Sequence, residues 1–417
     1  MKKIFYQIFI LFCILSFGLS NFSYCDDIDD EVIDVNAEII SSNASSFELQ
    51  VPDINSRACV VIDRNTNTIL YGKNEKQKRK MASTTKIMTA TIIIENCNLD
   101  ETIEVSKKAA GTGGSRLGLK TGDKITIRDL LYGLMLRSGN DAAVALAEHA
   151  GGNIEGFAEL MNKKASDLRL TNTHFETPHG LDSDEHYTTA YELAILSNYA
   201  LNNKTFAQIV GTKEYTITIN GYPKQLSNTN ELLGNLSGVY GIKTGFTNGA
   251  NRCLVTACKR NEMDIICVVL GADTKKFRTQ DSIKLINYVF DNFKPINIKE
   301  LIETEFNNWK NENLSKIVIN KGITQNINLE IENIDKDIIP IRKDLIDSIN
   351  INIDCPLYFE APLIQNSQVG NINVSISDNS NFNYKIYNSF DIKHKTWEIY
   401  LFEIFKNYSS IINSCLI

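Results

Sequence analysis

Strand-like segments at two distant places in the chain constrain its fold more than any other feature. Residues 58–62 and 68–71 are rich in apolar and β-branched side chains and flank a polar turn, which predicts a pair of strands. A second set of strand-like runs covers 239–243, 253–258 and 265–270. Helices are predicted between and after the two sets, over 82–96, 127–149 and 277–293. The sequence therefore predicts a fold of the α/β class.

The pattern changes after Pro295. Short alternating runs, such as 316–319, 326–331 and 372–376, are separated by Asn, Asp and Gly residues. Alternation of this kind is typical of strands joined by tight turns. We therefore predict a small all-β domain over residues 296–390.

The last segment, residues 391–417, is predicted to form an amphipathic helix. Its charged residues lie mostly on one face and its large apolar residues on the other. Such a helix can lie in a membrane interface, which predicts an anchor to the outer leaflet of the plasma membrane. A terminal helix docked on the β domain is the alternative, because the polar face is not strongly basic. The apolar face comprises Trp397, Tyr400, Leu401, Ile404, Phe405, Tyr408, Ile411 and Ile412.

The first 25 residues have the layout of a secretory signal peptide. Lys2 and Lys3 precede an apolar run over 4–19, and the small residues Ser23 and Cys25 precede an acidic pair. An uncleaved membrane anchor is the alternative, and lipid attachment at Cys25 fits less well beside the bulky Tyr24. Residues 26–52 are acidic and rich in Ser and Asn, which predicts a linker. The remainder of the chain is therefore predicted to be exported, at the extracytoplasmic face of the membrane or in the cell wall.

Charge and cysteine usage exclude several classes of function. The formal net charge is −7 and no basic patch interleaved with aromatics occurs, so nucleic-acid binding is not expected. Histidines and cysteines show no metal-ligand spacing, and we predict neither a metal nor a cofactor. Most cysteines lie in apolar runs that favour free core thiols. The sequence does not decide whether a disulfide joins Cys253 and Cys267 across a hairpin.

Ser83-Thr84-Thr85-Lys86 is a candidate nucleophile and base. A Ser-x-x-Lys match alone is weak, and an N-cap serine with a solvated lysine is the ordinary alternative. Here the match follows a strand pair and begins a helix, which places Ser83 near the positive end of the helix dipole and Lys86 one turn along on the same face. A lysine that is partly buried near another cation loses basicity, and can accept a hydroxyl proton.

Two further elements strengthen the candidate site. Ser138-Gly139-Asn140 interrupts a predicted helix and offers a hydroxyl and an amide to a substrate peptide group. Lys243-Thr244-Gly245 lies on a predicted strand, where Gly245 lets an extended substrate approach the strand edge. The three elements in this order match the active-site set of penicillin-binding proteins and serine β-lactamases.

Two similar triplets are interpreted as loop residues. Lys120-Thr121-Gly122 precedes the Ser-Gly-Asn element and is predicted to enter a helix rather than a sheet. Ser377-Asp378-Asn379 lies in the β-rich C-terminal region. Their order along the chain is wrong for the site.

The sequence resembles the D-alanyl-D-alanine carboxypeptidases of the low-molecular-mass penicillin-binding type. The resemblance is close over about residues 53–295, the predicted catalytic domain, and looser beyond. It implies an antiparallel sheet flanked by helices, with a helical subdomain that carries the Ser-Gly-Asn loop. The matching motifs are Gly113-Gly114-Ser115, residues 129–135, 138–143, Pro178-His179-Gly180-Leu181 and residues 241–247.

The resemblance implies a role for each site residue. Ser83 attacks the peptide carbonyl between two terminal D-alanines, Lys86 takes its proton, and Ser138 relays a proton to the leaving amine. Backbone N–H groups of Ser83 and Phe246 form the oxyanion hole. Residues expected to bind the peptidoglycan stem peptide, or a β-lactam that mimics it, are Asn140, Lys243, Thr244, Gly245, Phe246 and Arg278. Among these, Thr244 and Arg278 are expected to bind the terminal carboxylate.

Rival functions stay open at this stage. A peptidoglycan endopeptidase would use the same residues. Glu176 stands where the family usually has a polar residue, and a deacylating role for it would indicate a β-lactamase of class A type. A non-catalytic penicillin-binding scaffold or sensor would have no need of the intact triplets.

Overall fold

The computed structural model describes residues 33–37, 51–377 and 380–415, with side chains through Ser409. The predicted signal peptide and nearly all of the linker therefore lie outside the described residues, as do Asp378 and Asn379 of the C-terminal triplet. The chain divides into two compact units, of which the first ends at Asn292 and the second begins at Phe293. The sequence-based boundary was placed after residue 295.

A five-stranded antiparallel sheet forms the centre of the first unit. Its strands are β1 (Ala58–Asp63), β2 (Ile69–Lys73), β7 (Val239–Thr247), β8 (Asn251–Arg260) and β9 (Met263–Ala272). The order across the sheet is β2-β1-β9-β8-β7, so the two strand sets of the sequence join where β1 pairs with β9. The predicted antiparallel sheet is confirmed.

Helices cover both faces of this sheet. All six residues of β1 are buried, although alternate side chains of a strand point to opposite faces. Ala58, Val60 and Ile62 join the main apolar core, and the opposite face is covered by the closing helix α8. The helices of this unit are α1 (Lys86–Asn96), α2 (Lys107–Ala110), α3 (Ile127–Leu136), α4 (Asn140–Gly151), α5 (Ile154–Asp167), α6 (Ala190–Leu201), α7 (Lys204–Val210) and α8 (Lys275–Asn292).

Helix α1 is the central helix of the helical subdomain. Ile87, Met88, Ala90 and Ile93 are all inaccessible to solvent, which is expected for a helix that is apolar on every side. It packs against α3, α4, α5 and α6. Because α1 begins directly after the Ser83 turn, this packing fixes the position of the nucleophile candidate.

Two short pairs of antiparallel strands complete the first unit. Strand β3 (Thr102–Glu104) pairs with β4 (Lys124–Thr126), and β5 (Glu214–Ile219) pairs with β6 (Tyr222–Ser227). The Lys120-Thr121-Gly122 triplet therefore leads into strand β4 before helix α3 begins, and the prediction that it enters a helix directly was wrong. Gly122 lies in a turn at φ +87° and donates its N–H to Val105 O, so the triplet is a loop.

The second unit is rich in strands but is not purely β. Its strands are β10 (Phe293–Asn297), β11 (Val318–Asn320), β12 (Leu329–Ile331), β13 (Ile338–Arg342), β14 (Asn350–Asp354), β15 (Tyr358–Glu360), β16 (Gln368–Ser375) and β17 (Asn381–Asn388). A four-stranded antiparallel sheet has the order β12-β17-β16-β14, and two-stranded pairs form between β10 and β13 and between β11 and β15.

Helix α9 (Ile298–Asn313) was not predicted within the all-β region. Its buried residues Ile298, Ile302 and Phe306 recur every four positions and pack into the core of this unit. Asn297 caps the helix by accepting a hydrogen bond of 3.1 Å from Glu300 N. Both signals were present in the sequence, and the strand runs that follow obscured them.

A C-terminal helix, α10 (Trp397–Cys415), lies within the segment 391–417 for which an amphipathic helix was predicted. Its large apolar side chains are exposed to solvent, with Trp397, Ile404, Phe405 and Tyr408 each between 64% and 70% accessible. A helix docked through this face on the β strands would bury these side chains. Among the described residues, no helix combines the length and the apolar character needed to span a bilayer.

All six cysteines with described side chains are free thiols, including Cys253 and Cys267. No disulfide therefore joins these two residues. Burial raises the pKa of the Cys59 thiol to about 12 and that of Cys258 to about 11, which makes both poor nucleophiles at neutral pH.

Candidate active site

Ser83 lies in a buried 3₁₀ turn, Ala82–Thr85, that runs directly into helix α1. Ala82 has a φ of +48°, which side-chain-bearing residues adopt only where their surroundings hold them. Thr84 Oγ1 donates a hydrogen bond of 2.6 Å to Met81 O and closes the turn. The strand-to-helix connection therefore presents Ser83 in one fixed orientation.

Lys86 Nζ lies 2.8 Å from Ser83 Oγ. Two more oxygens surround the amine, Asn140 Oδ1 at 2.7 Å and His179 O at 3.0 Å, and the lysine is completely buried. Both of these oxygens can only accept a hydrogen bond, whereas the Ser83 hydroxyl can also donate. A neutral amine that gives its two N–H groups to these oxygens therefore directs its lone pair at the Ser83 proton.

The predicted Ser-Gly-Asn element forms the connection between α3 and α4. Asn140 is held from two sides, because its backbone N–H donates to Ser115 O at 2.7 Å and its Nδ2 donates to Gly113 O at 2.8 Å. The second bond settles which end of the amide is the oxygen that faces Lys86. The Gly113-Gly114-Ser115 motif thus fixes the side chain that orients the amine.

Ser138 adopts a φ of +61° in the same connection, and its side chain is buried. No hydrogen-bond partner for its Oγ exists within the described part of the chain. A buried hydroxyl normally has a hydrogen-bond partner, so the Ser138 hydroxyl is available to a ligand or to a proton transfer.

Strand β7 brings Lys243-Thr244-Gly245 against the nucleophile turn. A Cβ on Gly245 would lie 3.0 Å from Ser83 N and 3.1 Å from Thr84 N, so the absent side chain permits this approach. Lys243 is buried and its Nζ donates to Thr244 O at 3.0 Å. Thr244 Oγ1 shares a hydrogen bond of 2.9 Å with Thr229 Oγ1.

The last two predicted site residues are Phe246, on strand β7, and Arg278, on helix α8. The ring of Phe246 stacks on the Arg252 guanidinium, with the Arg252 Cζ 3.8 Å from the ring centroid. Arg278 is in the first turn of α8, is 1% exposed, and forms an ion pair with Glu231. Hydrogen bonds therefore join Ser83, Lys86 and Asn140 directly, whereas Arg278 is paired with Glu231, two residues after the Thr229 that bonds Thr244.

A second set of hydrogen bonds supports the nucleophile turn from behind. Glu176 N–H donates to His186 Nδ1 at 3.0 Å, so the ring proton lies on Nε2, which donates to Thr85 Oγ1 at 2.8 Å. The Thr85 hydroxyl in turn donates to Ala82 O at 2.8 Å. Burial, with the charge of His174 as a smaller cause, lowers the pKa of His186 to about 4 and keeps the ring neutral.

The Pro-His-Gly-Leu motif closes the site on the side of the amine. His179 contributes its backbone oxygen to Lys86, while burial and, secondarily, the charge that Lys86 carries when protonated lower the pKa of the His179 ring to about 3. Gly180 has a φ of +85°, and any Cβ there would overlap Ala82 O. Further along, Asp182 accepts hydrogen bonds from Thr247 Oγ1 at 2.6 Å and from Gly249 N at 2.9 Å.

Glu176, the residue that raised the β-lactamase alternative, is bonded to a residue of its own loop. Its carboxylate accepts a hydrogen bond from Ser183 Oγ. Glu176 therefore stabilises the loop that contains Asp182 and Ser183.

Sequence reasoning missed several supporting residues, among them His186, Thr229, Asp182 and Glu231. Each acts on a motif residue through a contact that joins distant parts of the chain. The Pro-His-Gly-Leu motif ends at Leu181, immediately before Asp182, and none of the family motifs includes the other three residues. For metals, the described residues bring together no group of three or more His, Cys, Asp or Glu side chains that could hold an ion.

The fold and the Ser/Lys pair define a serine peptidase of the penicillin-binding class. A sequence profile of the family described as D-alanyl-D-alanine carboxypeptidase, peptidase family S11, matches residues 45–274, which is more than half of the chain. The chain therefore belongs to this family of serine-type peptidases.

Individual relatives agree with this assignment. The chain is 36% identical over 273 residues to D-alanyl-D-alanine carboxypeptidase DacF of Bacillus subtilis, a match that covers 64% of this chain and 68% of DacF. It is 37% identical over 265 residues to DacD of Escherichia coli, covering 60% of this chain and 67% of DacD.

Solved structures show the same similarity. The Streptomyces K15 DD-transpeptidase matches with a TM-score of 0.56 and 36% identity, covering 58% of this chain and 99% of that one. Penicillin binding protein 5 from Haemophilus influenzae matches with a TM-score of 0.66 and 27% identity, covering 83% of this chain and 100% of that one.

Proposed function

We propose that the protein is a D-alanyl-D-alanine carboxypeptidase, which removes the terminal D-alanine from peptidoglycan stem pentapeptides and is inhibited by β-lactams. The observation that carries the proposal is the arrangement around Lys86 Nζ, which lies 2.8 Å from Ser83 Oγ and within 3.0 Å of two acceptor-only oxygens, so that the amine in its neutral form can direct its lone pair at the Ser83 proton. The names of its relatives supply the substrate class.

Acylation begins when Ser83 Oγ attacks the carbonyl carbon of the penultimate D-alanine while Lys86 takes the hydroxyl proton. The carbonyl oxygen becomes an oxyanion that accepts hydrogen bonds from the backbone N–H groups of Ser83 and Phe246. Each such donor is worth about 3 kcal/mol of transition-state stabilisation. The packing of Gly245 against Ser83 N supports this pairing of donors.

The C–N bond then breaks and the leaving nitrogen needs a proton. Ser138 relays this proton, a role supported by its buried hydroxyl, for which the described residues supply no hydrogen-bond partner. Lys243 supplies positive potential beside Ser138. Free D-alanine departs, and water hydrolyses the Ser83 ester to regenerate the hydroxyl. In a β-lactam the C–N bond that breaks is part of a ring, so the nitrogen stays tethered to the acyl group on Ser83 and the serine forms a long-lived adduct.

Binding residues complete the proposal. Thr244 and Arg278 bind the terminal carboxylate of the substrate. Asn140 holds the substrate amide through the second N–H of Nδ2 and also orients Lys86 through Oδ1. The bond between Nδ2 and Gly113 O leaves that second N–H available.

Mass spectrometry of the purified chain after benzylpenicillin treatment tests the proposal. A stable adduct on the peptide that contains Ser83, together with release of D-alanine from a stem pentapeptide, is the expected result. The Ser83→Ala variant must lose both. A wild-type chain that folds yet forms no adduct and releases no D-alanine would contradict the proposal.

The same experiment separates the rival functions. Faster cleavage of a cross-linked dimer than of the pentapeptide would indicate an endopeptidase, and turnover of penicillin within seconds would indicate a β-lactamase. The bond between Glu176 and Ser183 Oγ argues against the second outcome. One relative is named a DD-transpeptidase, so an amine acceptor added to the assay shows whether water alone takes the acyl group.

We further propose that residues 1–25 direct export, that 26–52 form a linker, and that α10 anchors the protein on the outer leaflet of the plasma membrane. The exposure of Trp397, Ile404, Phe405 and Tyr408 supports the anchor, because so many large apolar side chains in water favour an interface. Co-sedimentation with anionic vesicles is expected for the full chain and should be lost in a chain that ends at residue 396. Equal sedimentation of both chains would contradict the anchor.

A further inference from the structure

A partly buried carboxylate of the protein already lies on the arginine that is proposed to bind the substrate carboxylate. Glu231 Oε1 pairs with Arg278 Nη2, and the Arg278 side chain is 1% exposed while that of Glu231 is 16% exposed. Thr279 Oγ1, the neighbour of Arg278 on α8, donates a hydrogen bond of 2.6 Å to the same oxygen. Two donors from one helix turn therefore hold Glu231.

Glu231 also lies close to the substrate strand. It belongs to the connection between β6 and β7, where Thr229, two residues earlier, shares a hydrogen bond of 2.9 Å with Thr244 Oγ1. One short segment thus touches both residues of the proposed carboxylate site. The negative charge of Glu231 is within the region where the terminal carboxylate of a ligand must bind.

We propose that Glu231 determines specificity by acting as an internal competitor for Arg278, which weakens the binding of ligands that carry a free terminal carboxylate. The inference rests on the proposed function, because it needs Arg278 as the carboxylate-binding residue. Two carboxylates on one guanidinium repel each other, so a ligand must displace Glu231 or bind beside it. Glu231 touches no reacting atom and is a positioning residue.

The geometry of the carboxylate favours displacement over a permanent structural pair. Only Oε1 takes hydrogen bonds, from Arg278 and Thr279, while Oε2 is buried with no hydrogen-bond partner among the residues that the structure describes. A carboxylate held through one oxygen lacks the two parallel bonds of the strongest arginine pairs. Moving it aside therefore costs less than breaking a bidentate pair.

The Glu231→Gln variant tests the competition, because it removes the charge and keeps the shape. We measure kcat and KM for two stem peptides, one with a free terminal carboxylate and one with a terminal carboxamide. KM for the free carboxylate is expected to fall about tenfold at unchanged kcat, with no change for the carboxamide. A pair that merely holds Arg278 in place predicts the opposite, a rise in KM for the free carboxylate.

Two controls isolate the contact. Glu262→Gln makes the same charge change in the exposed turn between β8 and β9 and should alter neither peptide. In an Arg278→Leu background, Glu231→Gln should have no further effect on KM, since the guanidinium for which Glu231 and the ligand compete is absent. An equal effect with and without Arg278 would overturn the inference.

The remaining outcomes are also decisive. A KM for the free carboxylate that stays the same or rises, or an equal shift for both peptides, refutes the competition while the proposed function stands. A wild-type chain without D-alanine release or penicillin adduct refutes the proposed function itself. If Glu231→Gln does not fold, Thr279→Val is used instead, because it removes one of the two donors to Glu231. This variant must lower KM for the free carboxylate about two- to threefold. An unchanged KM would overturn the inference.

Discussion

Replacing Asn140 by Asp tests whether Lys86 acts as a neutral amine. The variant keeps the size of the side chain and the oxygen that lies 2.7 Å from Lys86 Nζ, but adds a negative charge beside the amine. The charge stabilises the ammonium, which has no lone pair for the Ser83 proton. The nucleophile should therefore be activated only at higher pH.

The size of the effect follows from the short distance and the burial of all three groups. An opposite charge within 4–6 Å shifts a protonation equilibrium by about one to three pH units, or about 1.4–4 kcal/mol. At neutral pH, acylation should fall about tenfold to a thousandfold, and the acid limb of the pH–rate profile should move up by the same one to three units. The new oxygen also removes the donor to Gly113 O, which costs about 1–3 kcal/mol of unfolding free energy.

The assay is the second-order rate of acylation by a fluorescent penicillin between pH 5 and 10, with thermal unfolding measured in parallel. Asn261→Asp adds the same charge in an exposed turn and should leave the profile unchanged. An Asn140→Asp enzyme that acylates at neutral pH within twofold of wild type, or whose acid limb does not move, would refute the neutral-amine argument.

Three more predictions concern the support of the nucleophile turn. Thr85→Val leaves His186 Nε2 and Ala82 O without their shared partner and should lower the unfolding free energy by about 1–3 kcal/mol and slow acylation, whereas Thr85→Ser should preserve both. Gly180→Ala should abolish acylation and lower the unfolding free energy by several kcal/mol, because the new Cβ overlaps Ala82 O. Gly221 has nearly the same φ and open space around it, so Gly221→Ala should lower the unfolding free energy by only about 1 kcal/mol. His186 titrates near pH 4 when folded and near 6.5 when unfolded, so the unfolded chain binds more protons between these values and stability falls as the pH drops. His186→Asn should remove about 1.4 kcal/mol per pH unit from that slope.

Each of these predictions has an opposite result that denaturation and acylation assays can detect. Equal stability of Thr85→Val and Thr85→Ser would mean that the hydroxyl bonds are immaterial. Equal costs at Gly180 and Gly221 would show that backbone conformation, not overlap with Ala82, sets the requirement for glycine. An unchanged slope for His186→Asn would place the acid sensitivity elsewhere.

Motif reasoning was most successful where chemistry is carried by residues adjacent in sequence. Ser83 and Lys86 are one helical turn apart, so their proximity follows from the turn itself. The interruption at residues 138–140 and the β7 strand were also predicted, because glycine and β-branched residues mark such places locally. The prediction was weakest in the second unit, where the apolar repeat of α9 was overlooked among strand-like runs.

The parts of the site follow from local sequence: a serine and a lysine one turn apart, a hydroxyl and an amide at a helix break, and a glycine in a substrate strand. Local spacing suffices for this, since each part depends on contacts between near neighbours. How the parts are held follows from the folded chain alone, with Asn140 and the His179 carbonyl around the amine, His186 behind the turn, and Glu231 on Arg278. Those contacts join residues far apart in the chain, and the burial that gives them their strength exists only once the two strand sets have closed into one sheet.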